Sequence, residues 1–222
     1  MLVVKKFLPS FVINRARGFN KDKAEQINKN IAPYLVDKSF VANFKGDVVL
    51  ELGSGYGDTI THLASSNPQK LYIACEVYPK AQQAICQKAS DANLTNIRLF
   101  KEDARLLLDQ LDDASLSGIL VLFPDPWPKK KHFKRRIINL QSLQLFAKKL
   151  KTGGELFIAT DHECYKGWIC EVILNQSLFT WQADTPWHFT HPPTWWQPTK
   201  FELKAKAEGR SSAYFKLIKS KL

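Results

Sequence analysis

Asp47-Val48-Val49-Leu50-Glu51-Leu52-Gly53-Ser54-Gly55-Tyr56-Gly57-Asp58 carries an apolar strand straight into a glycine-rich turn and out again into a helix start. Glycines in such a turn let the backbone reverse tightly and approach a ligand with no Cβ in between. The spacing is G-x-G-x-G. It is neither the G-x-G-x-x-G that seats a dinucleotide pyrophosphate nor a P-loop, which ends in Gly-Lys-Ser/Thr. A turn that merely needs positive φ accounts for the glycines alone. Glu51, two residues before the first of them, suits a ligand carrying an amino acid and a nucleoside in place of phosphates.

Working outward, apolar runs suited to strands recur at Asp47–Leu52, Leu71–Glu76, Ile97–Lys101, Ser117–Phe123 and Gly154–Thr160. Segments with helical spacing follow most of them, at Asp58–Ser66, Pro79–Asp91, Phe133–Leu150 and His162–Asn175. This alternation predicts an α/β fold, a mostly parallel, doubly wound sheet with helices on both faces. Ser212 to Lys219 alternates well enough to be a final antiparallel strand. Residues 1–46 read as a basic extension with one amphipathic helix around Lys21–Leu35, which Pro33 ends early, ahead of a single domain over 47–222. The segment from Trp187 to Pro198, rich in proline and tryptophan, reads as a structured loop in which Trp195 and Trp196 pack rather than bind.

Two more acids stand where the same ligand would extend. Glu76 ends the second strand, where a carboxylate can accept from both ribose hydroxyls. Asp103 follows the third, within reach of an adenine amino group. Either alone reads as a strand-ending surface charge. Glu51, Glu76 and Asp103 at successive strand ends read as a site.

Ser117 to Phe123 is a continuous apolar strand of the kind buried inside parallel sheets. It runs into Phe123-Pro124-Asp125-Pro126-Trp127-Pro128-Lys129-Lys130-Lys131-His132-Phe133-Lys134-Arg135-Arg136. Each proline fixes its own φ and pushes the residue before it out of the helical region, so Asp125 is held in a stiff turn at a strand's carboxyl end. The block of positive charge that follows places a polyanion beside that turn.

The whole chain carries a formal charge of +11 over 222 residues. Three basic segments, at the N-terminus, at 123–151 and at the C-terminus, frame two acidic ones. That distribution suits a nucleic acid partner. There is no apolar run long enough to cross a membrane and no signal-peptide pattern, so the expectation is a cytoplasmic protein with no membrane partner. Cys75, Cys86, Cys164 and Cys170 include no CxxC pair, which favours neither a disulfide framework nor a metal site.

The set Glu51, Gly53, Gly55, Gly57, Glu76 and Asp103 resembles the S-adenosylmethionine site of Rossmann-like class I methyltransferases. The turn Phe123–Arg136 is similar to the signature of bacterial tRNA (guanine-N7)-methyltransferases, the TrmB family. Ala159-Thr160-Asp161 and Pro198-Thr199-Lys200-Phe201-Glu202 agree with it. The resemblance implies S-adenosyl-L-methionine as cofactor, held by Glu51, Gly53, Gly55, Gly57, Glu76, Asp103 and Asp125, and methylation of a guanine in the tRNA variable loop. It implies Asp125 as the catalytic residue and substrate contacts at Lys129, Asp161, Thr199, Lys200, Phe201 and Glu202. The chain departs from the family at His162, where an aromatic is usual, at Leu203–Arg210, and at Arg15–Asn20.

Lys130, Lys131, Lys134, Arg135 and Arg136, with Lys129, are the residues for RNA phosphates, which position without reading sequence. Trp127 either stacks on a flipped base or caps the core. Asp125 or Asp161 can accept the paired N1–H and N2 donors of guanine, and Asp125 acts as base or as electrostatic stabiliser. The competing functions are an exocyclic-amine methyltransferase, whose turn is typically (D/N)PP(Y/F), and a non-catalytic RNA-binding protein on the same fold. Basic segments in the chain itself point to action as a monomer or homodimer with no obligatory protein partner.

Overall fold

In the computed structural model, which describes residues 7–11 and 21–221, the strands form one seven-stranded sheet in the order β3-β2-β1-β4-β5-β7-β6. The strands are β1 (Val48–Leu52), β2 (Leu71–Cys75), β3 (Ile97–Phe100), β4 (Leu116–Leu122), β5 (Leu150–Thr160), β6 (Phe179–Trp181) and β7 (Ala213–Lys219). Neighbours from β3 through β5 run parallel, and β7 is antiparallel to both β5 and β6. The expected final antiparallel strand is thus present, and it lies between β5 and β6.

Alternate residues of each strand feed opposite faces, so both faces are apolar and the strand sequences read as continuous hydrophobic runs. On one face Leu50, Ile73, Val121, Ile158 and Phe215 pack against α5 (Ala104–Gln110), α6 (Leu140–Lys149) and α7 (Glu163–Leu174). On the other, Tyr72, Ala74, Leu120 and Phe157 pack with residues of α1 (Lys21–Ile31), α3 (Asp58–Ser66) and α4 (Pro79–Asp91). Ile27 and Ile31 of α1 are buried in this second layer, and Val36 N–H donates to the Leu99 carbonyl at 3.1 Å. The helix expected in the basic extension therefore shares the core of the domain. It ends at Ile31, and Pro33 lies in a 3-10 turn at Ala32–Tyr34.

Among the described residues there are three further α-helices: α2 (Lys38–Asn43), α8 (Trp187–Thr190) and α9 (Lys200–Ala207). The single helix expected over Phe133–Leu150 is instead a 3-10 helix, Lys130–Arg135, an extended piece, and α6. Two forces divide it. Ile137 and Ile138 are drawn into the core, and Asn139 and Ser142 cap each other reciprocally to start α6 at Leu140. Among the described residues, no helix is long and apolar enough to cross a membrane.

Candidate active site at the C-terminal ends of the central strands

The strand order reverses between β1 and β4, the place where open α/β sheets bind ligands beyond the carboxyl ends of their strands. A cavity of about 510 Å³ lies there. Its walls include Gly53 and Gly55 after β1, Glu76 after β2, Asp103 after β3 and Asp125 after β4. Residues far apart in sequence converge because parallel strands all present the same end to the same side.

The glycine turn is built for this wall. Gly53, Gly55 and Gly57 have φ of +74°, +52° and +79°. A Cβ on Gly53 would meet nothing within 4 Å, which leaves that space to a ligand. Gly57 serves a different end. It caps α3, does not line the cavity, and a Cβ there would stand 2.7 Å from Ile85 Cγ1.

The three acids differ in state. Glu51 lies beneath the wall, only 3% exposed, and its Oε2 has no hydrogen-bond partner among the described residues. Burial pushes its carboxyl up to about 7, helped by the nearby charges of Glu76 and Asp58 and opposed by Ser54. Glu76 is already engaged: Oε1 accepts from Val77 and Tyr78 N–H at 2.8 Å each, and Oε2 from Gly55 N–H at 2.8 Å. Its pKa is nevertheless raised, because burial outweighs those donors. Three backbone N–H groups thus occupy acceptor positions of Glu76, which leaves one, on Oε2. Asp103 caps α5 and takes the Arg105 guanidinium on both oxygens, at 3.0 and 2.6 Å. Arg105 in turn donates to the Leu8 carbonyl at 2.8 Å.

The turn after β4 is strained at both ends. Phe123 and Trp127, neither of them glycine, have φ of +48° and +44°. Between them the exposed Asp125 faces the cavity. The Trp127 indole N–H donates to the Ser10 carbonyl at 3.0 Å, and Arg135 stacks on the ring at 4.9 Å. Lys129, Lys130, Lys131 and Lys134 are exposed beside it and Arg135 is half-buried. Arg136 is not part of that surface. It is 1% exposed, which removes it from the residues available to RNA phosphate.

Elsewhere the sequence expectations separate. Phe201 lines the cavity mouth at 62% exposed, with Lys200 over the Tyr56 ring at 5.1 Å. Thr199 caps α9 by accepting from Glu202 N–H at 3.1 Å. Glu202 itself lies outside the cavity lining and accepts from Trp196 Nε1 at 2.6 Å and from the Tyr214 hydroxyl. Asp161 lies outside the cavity lining and is ion-paired to Arg210. Trp196 is buried against Phe157 and Tyr214, as a packing residue should be. Cys164 is exposed, not in the core. The loosely matching Arg15–Asn20 falls outside the described residues.

The sequence reading missed Ser10, Phe11, Tyr56 and Tyr78 as cavity walls. Tyr56 sits inside the glycine turn and was legible there. Ser10 and Phe11 belong to a segment held by Arg105 at the Leu8 carbonyl and by Trp127 at the Ser10 carbonyl.

A protein family described as "Putative methyltransferase" matches residues 45–214. A tRNA (guanine-N(7)-)-methyltransferase of Rhizobium etli is 35% identical over 209 residues, 90% of this chain and 91% of that protein. One of Bartonella henselae is 35% identical over 221 residues, 99% of this chain and 89% of that protein. Among solved structures, an rRNA methylase from Streptococcus thermophilus superposes with a TM-score of 0.54 at 16% identity, covering 93% of this chain and all of that one. That last likeness is one of fold.

Proposed function

The chain belongs to the tRNA (guanine-N(7)-)-methyltransferase family, and we propose a division of labour among its cavity residues that carries out this reaction. The enzyme uses S-adenosyl-L-methionine to methylate guanine N7 in tRNA. The cofactor supplies an electrophilic methyl group on a sulfonium.

The residues present fit that cofactor. Glu51 Oε2, buried and with no partner among the described residues, suits the ammonium of its amino acid portion. Gly53 leaves its Cβ space to the ligand, and a Cβ on Gly55 would stand 3.8 Å from Phe201 Cε2 at the same wall. Glu76 offers its remaining acceptor position to a ribose hydroxyl, and Asp103 its free lone pair on Oδ2 to an adenine amino group. Gly57 acts one step removed, by fixing the turn against Ile85.

Guanine N7 is an unprotonated acceptor with an in-plane lone pair, so it attacks without first losing a proton. Alignment is then the chief requirement. Asp125 sits at the mouth of the cavity, where its carboxylate stabilises the positive charge that grows on the ring as the methyl arrives. The observation that carries this reading is that the β4 turn puts Asp125 on the same cavity as Gly53, Gly55 and Glu76. Phe201 and Tyr56, exposed aromatics at that mouth, offer faces to the base. Lys129, Lys130, Lys131, Lys134 and Arg135 hold the phosphates of the tRNA variable loop. Thr199 and Glu202 shape the α9 end that presents Lys200 and Phe201, and Asp161 braces the other side through Arg210. With its own basic surface the chain acts in the cytoplasm as a monomer or homodimer without an obligatory protein partner.

The test is transfer of labelled methyl to unmodified tRNA, with the product nucleoside identified by mass spectrometry and Asp125→Ala run in parallel. 7-Methylguanosine from the wild type and its loss in the variant are expected. A variant with undiminished 7-methylguanosine would remove Asp125 from the mechanism.

A further inference from the structure

We propose that Arg136 is a positioning residue for methyl transfer, holding the Asp125 turn from below through the carbonyls of Pro126 and Trp127. The inference rests on the assignment of Asp125 above. Read along the sequence, Arg136 is the last charge of a phosphate-binding block. In the fold it is 1% exposed, while Lys129, Lys130, Lys131 and Lys134 are exposed. Burying a guanidinium costs several kcal/mol of hydration, so its donors must be taken up by groups that need them.

The turn is what needs them. Pro124, Pro126 and Pro128 have no N–H, so Phe123–Pro128 is short of the donors a turn uses to close on itself. Arg136 Nε donates to the Pro126 carbonyl at 3.0 Å and Nη2 to the Trp127 carbonyl at 3.4 Å. These are the two peptide oxygens that follow Asp125 directly. They belong to a segment whose backbone is strained at Phe123 and Trp127, a conformation that persists only when its surroundings over-determine it.

Behind the guanidinium stands an aromatic cage. Its carbon lies 3.6 Å from the Phe133 ring centre, 4.9 Å from Trp168 and 5.2 Å from Tyr165, and Cys164 Sγ accepts from Nη2 at 3.4 Å. The cage is fastened to the chain just beyond Arg136. The Tyr165 hydroxyl accepts from Ile138 N–H at 3.1 Å and Trp168 Nε1 donates to the Ile138 carbonyl at 2.6 Å. A planar fork that stacks on rings and donates in two directions is a property of arginine, and lysine does not reproduce it.

Arg136→Lys keeps the charge and should fold. With activity expressed per cofactor-binding site counted by calorimetry, its kcat should fall about ten- to a hundred-fold, the scale of a small misplacement of a reacting group. KM for tRNA, the salt dependence of tRNA binding and cofactor affinity should stay as in the wild type. Trp168→Phe, which loosens the cage and leaves Arg136 in place, should show the same pattern at smaller amplitude. In an Asp125→Ala background Arg136→Lys should cause no further loss, because the two act as one unit. A raised KM and a shallower salt slope at unchanged kcat would restore Arg136 to the phosphate contacts and overturn the proposal. So would fully additive losses in the double variant. Full activity in Asp125→Ala alone overturns the Asp125 assignment instead, a result read without any Arg136 variant.

Discussion

Trp196 Nε1 lies 2.6 Å from Oε2 of Glu202, and the other oxygen of that carboxylate takes the hydroxyl of Tyr214 on β7. One acid thus ties the tryptophan loop, α9 and the sheet together, directly behind the Lys200 and Phe201 side of the cavity mouth. Two donors depend on it, in surroundings where Tyr214 is buried and its pKa is driven well above the usual value.

Glu202→Ala should therefore destabilise the fold, by about 2–6 kcal/mol, since each of the two donors left unsatisfied in the interior costs about 1–3 kcal/mol. Urea denaturation monitored by tryptophan fluorescence measures it. Lost activity at unchanged stability would instead make Glu202 a direct substrate contact.

Glu51 gives a pH prediction whose sign follows from its raised carboxyl. Unfolded, the group ionises near its ordinary value of 4.5, and folded without ligand it keeps its proton to about 7. In that window the folded state binds the extra proton, so apo stability falls as pH rises, by up to about 3 kcal/mol. Glu51→Gln should flatten the melting-temperature profile between pH 5 and 8. If an ionised Glu51 receives the cofactor's ammonium, cofactor affinity should rise through pH 7 in the wild type and not in the variant.

The glycines separate cleanly. Gly57→Ala combines a φ of +79° with a Cβ 2.7 Å from Ile85, so it should cost about 2–4 kcal/mol of stability from strain plus overpacking. Gly53→Ala has room for its Cβ, so it pays only the backbone strain, about 1 kcal/mol. Its larger effect should be on cofactor affinity, read by calorimetry. Equal loss of affinity in both at equal stability would contradict this assignment.

Lys134→Ala with Arg135→Ala should make the salt dependence of tRNA binding shallower, by roughly one unit of log–log slope per phosphate contact removed. An unchanged slope would move the RNA elsewhere on the surface.

Replacing the target guanine with 7-deazaguanine removes the nucleophile and leaves the exocyclic amine in place. Methylation of that tRNA should vanish.

Strands β1 to β5, β7 and the helices α3 and α4 were legible because burial on both faces writes continuous apolar runs and the helices keep their own periodicity, whereas β6, only three residues long, carries too short a pattern to be read. Helix α5 was not, since Asp103 read as a ligand-binding strand end and its second role, capping Ala104–Gln110, is the same carboxylate turned to the backbone. The break between Arg135 and Leu140 was likewise hidden. A run of basic residues followed by apolar ones reads as one helix until the core claims Ile137 and Ile138.

By itself the sequence determined the alternation of strands and helices, the glycine turn, the order of acids at strand ends and the proline-stiffened Asp125, because each of these is a local pattern of residue type and spacing. Only the tertiary structure decided which charges face solvent. Arg136 and Lys134 are two residues apart in the same basic block, yet one is buried in an aromatic cage beneath the turn and the other is exposed. Local sequence carries charge but not the surroundings that decide whether water or protein solvates it.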